Sequence, residues 1–246
     1  MLVLTHGFAE KFKPKVVCRA AVGFIMFKQI RVVGHGRVGS AFAARLEAQG
    51  RLAPDTEDEA DLVVLCVPDA AIAEVAQSTA EGPWLVHVSG ATPLKALDPH
   101  TQRFGLHPVQ AFVRSRGSEQ GDGAWAAVTG ESNAARVRGH WLAEVLGLKA
   151  FDLDEEQRAL YHAGATMASG YLVTLFRLAS QAFEQAGAPP EALVPLMRRT
   201  IDNGFEMTGP IPRGDWPTIE AHREALAAEL PDLLPVYDSL LKVTQR

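Results

Sequence analysis

A glycine-rich turn between a strand and a helix constrains the fold more than any other feature of this sequence. Residues 29–33 are strand-like, residues 40–49 show apolar residues at helical spacing, and between them lies Gly34-His35-Gly36-Arg37-Val38-Gly39. In that order, the first glycine allows a tight turn, the second lets a ligand approach the backbone, and the third lets the helix pack on the strand. The segment therefore predicts a turn that holds a pyrophosphate at a helix N-terminus.

Strand and helix patterns alternate after this turn as far as residue 152. Strand-like runs cover residues 62–67, 84–89, 103–107 and 126–130, and helical patterns cover 69–80 and 134–146. Alternation of this kind is typical of a doubly wound parallel sheet, so we expect an α/β domain of the Rossmann type. Beyond residue 152 only helical patterns remain, at 161–185, 191–205, 218–229 and 233–243. An all-helical domain should therefore follow the sheet.

These patterns predict a Rossmann-like domain over residues 27–152 and a helical domain over residues 153–246, with residues 1–26 as an N-terminal extension. We expect Met26 to be the natural start, because the first strand begins just after it. At the second domain, Asp154 and Gln157 have the spacing of a capping box.

Composition argues for a cytoplasmic protein that acts on small molecules. The formal net charge of -5 gives no positive field to attract nucleic acid or anionic lipid. The longest uncharged apolar stretch, residues 20–27, is much shorter than the roughly 20 residues of a membrane span. Eight histidines occur, but none has the paired spacing of a metal-binding helix, so no metal site is expected.

The region after Gly50 is shorter than a standard dinucleotide-binding unit requires. Residues 51–53 resemble the remnant of a strand, and no crossover helix fits between them and Asp61. Asp55 or Glu57 lies at the right distance from Gly34 to hold a ribose, although a solvated acidic loop explains them equally well. The choice between NAD and NADP stays open.

Three further segments resemble a known family: Gly105-Leu106-His107-Pro108-Val109-Gln110-Ala111-Phe112, Tyr161-His162-Ala163-Gly164-Ala165 and Thr208-Gly209-Pro210-Ile211-Pro212-Arg213-Gly214-Asp215. Together they are similar to the Rossmann-like proteins with a C-terminal domain of unknown function 2520, over nearly all of residues 27–244. These proteins are relatives of pyrroline-5-carboxylate reductase and of the deazaflavin-dependent NADP reductases. The resemblance implies an NAD(P)-binding domain and a helical domain, like that of 6-phosphogluconate dehydrogenase, through which the chain forms a homodimer.

The sequence departs from this family at the long helix, where Ser169-Gly170 stands in place of the usual asparagine. With the shortened region after Gly50, this departure leaves open that catalysis has been altered or lost.

Candidate cofactor contacts are the six residues Gly34 to Gly39, together with Val67 and Ser89 at the ends of the next two strands. Polar groups there lie at the edge where open α/β sheets bind ligands. His87 and Ser89 could approach a nicotinamide, or could simply end their strand.

Candidate catalytic residues are His107, His162 and Arg213. An imidazole that titrates near neutral pH can donate or accept a proton, so either histidine could serve hydride chemistry. Arg213 could anchor a carboxylate, or could pair with Asp215 inside its turn. Candidate substrate contacts are Thr166 and Ser169, which α-helical spacing places on one face with His162, and Asn203 and Asp215.

The leading hypothesis is an NAD(P)-dependent oxidoreductase that transfers hydride between nicotinamide and a small carbonyl, imine or acid bound between the domains. A dinucleotide-binding or regulatory dimer without catalysis is the alternative, and a scaffold with a vestigial glycine turn is a third possibility.

Overall fold

The computed structural model describes residues 26–54 and 60–245. Residues 26–54 with 60–166 form one compact unit, which contains the sheet, and residues 167–245 form a second, helical unit. The sheet unit extends past the expected boundary near residue 152, because a short helix after the last strand packs on the sheet. Residues 1–25 of the predicted extension 1–26, and the candidate ribose ligands Asp55 and Glu57, lie outside the described residues.

In the described part of the chain the sheet has six strands, which lie in sequence order: β1 Ile30–Val33, β2 Leu62–Leu65, β3 Trp84–His87, β4 Arg103–Val109, β5 Trp125–Thr129 and β6 Lys149–Asp152. Strands β1 to β4 are parallel, β5 is antiparallel to β4, and β6 is parallel to β5. Leu52 forms a parallel bridge to Ile30, so the predicted strand remnant lies on the free side of β1. The chain therefore winds both ways from β1, and the predicted Rossmann-type fold is confirmed.

Helices cover both faces of this sheet. Helices α1 (Arg37–Ala48) and α3 (Asn133–Val145) pack on one face, and α2 (Ile72–Ser78) packs on the other. In β2 all four residues are buried, with Leu62 and Val64 facing the first layer and Val63 and Leu65 the second. Burial on both faces explains why parallel strands read as continuous apolar runs rather than alternating ones.

The predicted long helix is interrupted. Helix α4 spans Arg158–Thr166, a π-helical turn spans Met167–Tyr171, and α5 spans Leu172–Gln185. A π turn inserts an extra residue, so the α-helical spacing used to align His162, Thr166 and Ser169 does not hold beyond Thr166. A shared face of Ser169 with His162 and Thr166 therefore stays a prediction.

The remaining helices are α6 Leu193–Asp202, α7 Pro210–Arg213, α8 Trp216–Glu229 and α9 Leu234–Thr244. Within the described part of the chain, no helix has the length and apolar character to cross a membrane. The predicted capping box was also wrong. Asp154 precedes a 3-10 turn, Glu155–Gln157, without capping it, and its carboxylate instead accepts a hydrogen bond from Arg136.

Candidate functional site

The glycine turn after β1 has the geometry that its sequence predicts. Gly34 has a φ of +99°, which favours glycine, and a Cβ there would lie 2.5 Å from the carbonyl oxygen of Cys66. A Cβ on Gly39 would overlap the carbonyl oxygen of Gly34. At Gly36, by contrast, no described residue beyond its two chain neighbours has a heavy atom within 4 Å of the Cβ position. The protein's own packing therefore explains two of the glycines and leaves the third open.

Gly36 is the N-cap of α1, and no side chain caps that end of the helix. The amides of the first turn are consequently available to a ligand, and the helix dipole favours an anion there. His35 and Arg37 are exposed, while Val38 packs against the core. The turn lies against Cys66 and Val67 at the end of β2, because Cys66 Cβ and a Val67 methyl contact the two closed glycine positions.

The ends of β1, β2 and β3 meet at one edge, since Val33 pairs with Leu65 and Leu65 with His87. Strand β4 continues beyond this edge, because His87 pairs with Gly105 and His107 follows two residues later. The glycine turn and His107 therefore belong to the same carboxyl edge of the sheet, where open α/β sheets bind ligands.

His107 and His162 come together at this edge. Their ring centroids are 5.6 Å apart, and both rings lie over Gly90. A Cβ on Gly90 would collide with Cδ2 of His162 and would lie 2.9 Å from Cε1 and Nε2 of His107. Gly90 is therefore required by the imidazole pair. Tyr161, next to His162 on α4, places its hydroxyl oxygen 2.7 Å from Nδ1 of His107.

Burial, with nearby positive charge, sets the protonation of this cluster. Desolvation, then the neighbouring His162 and Arg158, lowers the pKa of His107 to about 4, although Asp69 opposes the shift. Burial raises the pKa of Tyr161 to about 12, with Arg158 opposing. His107 is thus neutral and Tyr161 protonated at neutral pH, so the expectation that His107 titrates near pH 7 was wrong.

Arg158 attaches α4 to the sheet. Its guanidinium is buried, and it donates hydrogen bonds to Thr129 Oγ1 at 3.0 Å and to the carbonyl oxygen of Ser89 at 2.5 Å. Glu155 lies 3.9 Å away and accepts a hydrogen bond from the amide of Leu94. These bonds position the first turn of α4, and therefore Tyr161 and His162, over the ends of β3 and β4.

Ser89 is hydrogen-bonded within the protein, and His87 is buried in the sheet. The Ser89 hydroxyl donates to Asp69 or Thr92, which lie at 2.8 and 2.9 Å, and accepts from the amides of Ala91 and Thr92. His87 is completely buried, and burial, then Arg158 and His107, lowers its pKa to about 3. Burial inside the sheet keeps the His87 ring from approaching a nicotinamide, so that expectation was wrong. As a cofactor contact, Ser89 stays a prediction.

The other predicted residues occupy different positions. Thr166 is half-buried at the end of α4, whereas Ser169, Asn203 and Arg213 are exposed in the helical unit. Asp215 caps α8, accepting from the amide of Thr218 at 3.3 Å and from its hydroxyl at 2.8 Å. This cap replaces the alternative of an Arg213 to Asp215 pair. The roles of these residues toward a substrate stay predictions. Among the described residues, no cluster of His, Cys, Asp or Glu is arranged to hold a metal ion.

Sequence reasoning missed four members of the cluster: Asp69, Gly90, Arg158 and Tyr161. Tyr161 lay inside a segment used for the family resemblance, and it directly precedes His162. Its position next to the candidate His162 in the sequence was the signal that could have identified Tyr161. Gly90 directly follows Ser89 at a strand end, but its requirement for glycine depends on two rings from distant segments.

Comparison with protein families finds a match for the second half of the chain. Residues 124–244 match the model described as a domain of unknown function, DUF2520. This region is a DUF2520 domain. The family resemblance of the sequence is thereby confirmed. The DUF2520 match begins within the sheet unit, at Ala124 just before β5, and includes α4 with Arg158, Tyr161 and His162.

Solved structures share the fold across nearly the whole chain. Protein BF3122 of Bacteroides fragilis, a candidate NADP oxidoreductase, is 22% identical with a TM-score of 0.73, covering 89% of this chain and 98% of its own. The 1-pyrroline-5-carboxylate reductase of Streptococcus pyogenes is 15% identical (TM-score 0.57; 88% and 98% covered). A reductive aminase of Aspergillus terreus, solved with NADPH and ethyl-5-oxohexanoate, is 17% identical (TM-score 0.61; 87% and 92% covered). No curated protein matches the sequence.

Proposed function

We propose that this protein is an NAD(P)-dependent oxidoreductase that transfers hydride between nicotinamide and a small carbonyl, imine or acid. The observation that carries the proposal is the placement of a phosphate-binding turn and an imidazole pair at one carboxyl edge of a single sheet. A turn alone would suit any nucleotide-binding protein. The imidazole pair adds hydrogen-bond donors close to where the reacting group of a substrate would lie.

The residues of the turn fit a dinucleotide. Close packing forbids a side chain at Gly34 and Gly39, and only Gly36 faces open space, as a close approach of pyrophosphate to the backbone requires. Amides from Gly36 to Val38 would hold the phosphates at the start of α1, and Val67 would line the adjacent wall. No side chain has to rearrange for this contact.

A bound reduced nicotinamide supplies the hydride, so the chain has to orient the substrate and deliver a proton. When the substrate carbon of a C=O or C=N bond gains the hydride, the adjacent oxygen or nitrogen gains one proton, and the cofactor leaves oxidised. We assign that proton to His162, because its ring lies with that of His107 over Gly90, whereas burial keeps His107 neutral and the Tyr161 hydroxyl bonds to Nδ1 of His107. His107 then contributes a hydrogen bond rather than a titrating proton.

The solved structures support the proposal of an NAD(P)-dependent oxidoreductase. Proteins that share the fold over most of their length include a pyrroline-5-carboxylate reductase and a reductive aminase that binds NADPH. We extend that cofactor class to this chain, with NADP or NAD as the alternatives.

The experiment is a titration of the protein with NADPH, NADH and their oxidised forms, followed by turnover on a panel of ketones, 2-oxoacids and cyclic imines. We expect His162→Gln to lower kcat by about a hundredfold or more with little change in dinucleotide affinity. His140→Gln is the matched control, because His140 lies on α3 and bonds to Asp152 away from the cluster. Binding without turnover on any substrate would favour the regulatory dimer, and absence of binding would reject both functions.

We also propose that the helical unit pairs with a second copy of the chain. Among its described residues, only Leu193 and Ile219 are buried apolar side chains, whereas many large apolar side chains are exposed. A groove of about 730 Å³ runs between α5, α8 and α9, and its apolar wall includes Leu175, Leu178, Phe183, Leu226, Val236 and Leu240. An apolar surface of this extent is typical of a permanent interface.

Sedimentation equilibrium tests the dimer. We expect a twofold mass that persists at micromolar concentration, and we expect Leu240→Glu to shift the protein toward the monomer or to lower its stability. Wild-type protein that sediments as a stable monomer would reject the proposal.

A further inference from the structure

We propose that Tyr161 is a positioning residue that holds His107 in the tautomer with its proton on Nε2, so that the site offers a neutral N–H donor to an acceptor oxygen. On this basis the preferred substrate is a carbonyl compound rather than a protonated imine. The inference rests on the proposed function for its substrate, but the tautomer assignment does not.

The hydrogen-bond partners open to Tyr161 indicate the direction of the bond. Tyr161 Oη and His107 Nδ1 are 2.7 Å apart, and Tyr161 has no other hydrogen-bond partner among the described residues. If Nδ1 carried the proton and donated it, the phenol proton would be left without an acceptor inside a partly buried cluster. Donation by Tyr161 satisfies both groups. Nδ1 is then the acceptor, and a neutral imidazole must carry its single proton on Nε2.

The surroundings keep both groups in these states. The high pKa of Tyr161 retains the phenol proton, and the low pKa of His107 keeps the ring neutral. The groups that act on His107 are His162 and Arg158, which disfavour its cation, and Asp69, which favours it. His87 lies below the cluster and has a low pKa itself, so it stays neutral.

Nε2 of His107 is the group left for a ligand. It lies beside Gly90, facing the same small region as His162, and it bonds to no described residue. A donor in that place binds an acceptor such as a carbonyl oxygen. An iminium ion would oppose it with a second N–H donor, and the buried cation of Arg158 would repel the iminium charge. Both effects favour an uncharged carbonyl group.

Nuclear magnetic resonance of protein with ¹⁵N-labelled histidine tests the tautomer directly. The His107 signals are identified by their loss in His107→Gln. At pH 7 we expect Nε2 to carry the proton and Nδ1 to show the shift of an acceptor nitrogen. In Tyr161→Phe, which removes only the hydroxyl, we expect a mixture of tautomers and an upward shift of the His107 pKa. A wild-type ring protonated on Nδ1, or on both nitrogens, would overturn the proposal.

Tyr237→Phe provides a matched control for the spectra. Its hydroxyl lies 3.0 Å from Nδ1 of His222, in a second Tyr–His pair in the helical unit. We expect this variant to change the His222 signals and to leave those of His107 unchanged. Equal effects of both variants on His107 would mean that Tyr161 has no specific role.

The substrate class is tested with two small rings of the same size. We expect 2-pyrrolidinone, which carries a carbonyl acceptor, to shift the His107 Nε2 signal in the presence of NADP⁺, and the pyrrolidinium ion to leave it unchanged. A shift with pyrrolidinium alone, or with neither ring, would reject the carbonyl assignment. In turnover, Tyr161→Phe should lower kcat/KM for a ketone by about tenfold, the usual effect of one misplaced hydrogen bond.

The outcomes separate this inference from the proposed function. An Nε2 proton that depends on Tyr161, in a protein that binds no dinucleotide, would leave the tautomer assignment intact and reject the oxidoreductase. Hydride transfer by a protein whose His107 carries its proton on Nδ1 would support the oxidoreductase and reject the tautomer assignment.

Discussion

Adding one methyl group at either of two glycines in the turn should have opposite consequences. In Gly39→Ala the new Cβ would overlap the carbonyl oxygen of Gly34 and would lie 3.0 Å from Cβ of Cys66. Both neighbours are held in place, one as backbone and the other at the end of a buried strand. We therefore expect a loss of about 3 kcal/mol in the free energy of unfolding, at the upper end of the range for overpacking.

In Gly36→Ala the same methyl group has no heavy atom of the described residues within 4 Å, apart from those of its chain neighbours. Gly36 has φ of -70° and ψ of -168°, which alanine adopts without strain. Stability should stay constant or rise by about 0.5 kcal/mol, because alanine lowers the entropy of the unfolded chain. The methyl group would, however, hold a pyrophosphate away from the amides of α1. Losing one such charged hydrogen bond costs about 1.5–3 kcal/mol, or about a tenfold to hundredfold loss in affinity.

Urea denaturation and calorimetric titration with NADPH measure the two quantities separately. Wild-type affinity in Gly36→Ala would refute the reasoning, because the open position would then not face the phosphates. Equal destabilisation by both variants would refute it as well, since it would show that packing alone selects the glycine at residue 36. Glu144→Ala, on the helix α3 that ends at Val145, serves as a surface control for both assays.

Three further predictions follow from the buried groups and one cap. The pKa of His87 is about 3 in the folded protein and 6.5 ordinarily, so the unfolded chain binds more protons than the folded protein between those pH values. Through this residue, the free energy of unfolding should be about 2 kcal/mol lower at pH 5 than at pH 7. His87→Asn should reduce that pH dependence in urea denaturation. Burial raises the pKa of the Cys66 thiol from 9.0 to about 12, so its alkylation at pH 8, followed by peptide mass spectrometry, should be about a thousandfold slower than in urea, and equal rates would contradict the burial. Asp215→Ala should cost about 1 kcal/mol in thermal denaturation through loss of the α8 cap, with Thr218→Val as the milder comparison, and an unchanged melting temperature would refute the capping role.

The sequence was sufficient for the fold class because each element of the sheet unit has a strong local signal. The glycine turn, the apolar strands and the helix that begins after Ser132 all follow from local chemistry, and Ser132 caps α3 as expected. Even the strand remnant at Leu52 was visible. The antiparallel direction of β5 was not, because strand direction depends on the path of the whole connection between residues 109 and 125.

The candidate site was harder to predict, because its members meet only through long-range packing. His107 and His162 were predicted separately, each from its local position, and the structure brings them together over Gly90. The π turn over Met167–Tyr171 was not predicted either, since such a turn changes the spacing of side chains without a clear signal in composition. Asp154 makes no cap hydrogen bond, and its carboxylate instead accepts one from Arg136, a partner that local sequence does not indicate.

The histidines show why residue type alone was a poor guide to chemistry. His87 and His107 are the same residue type and lie at nearly the same level of neighbouring strands. His87 is nevertheless completely buried in the sheet, whereas His107 lies at its carboxyl edge. Burial near Arg158 leaves both neutral at physiological pH, so His107 cannot serve as the titrating group that the sequence suggested. What distinguishes His107 is its bond to Tyr161, which gives the neutral ring a defined donor atom. The donor on His107 should therefore persist over a broad pH range, because it depends on the orientation of a hydrogen bond rather than on a charge.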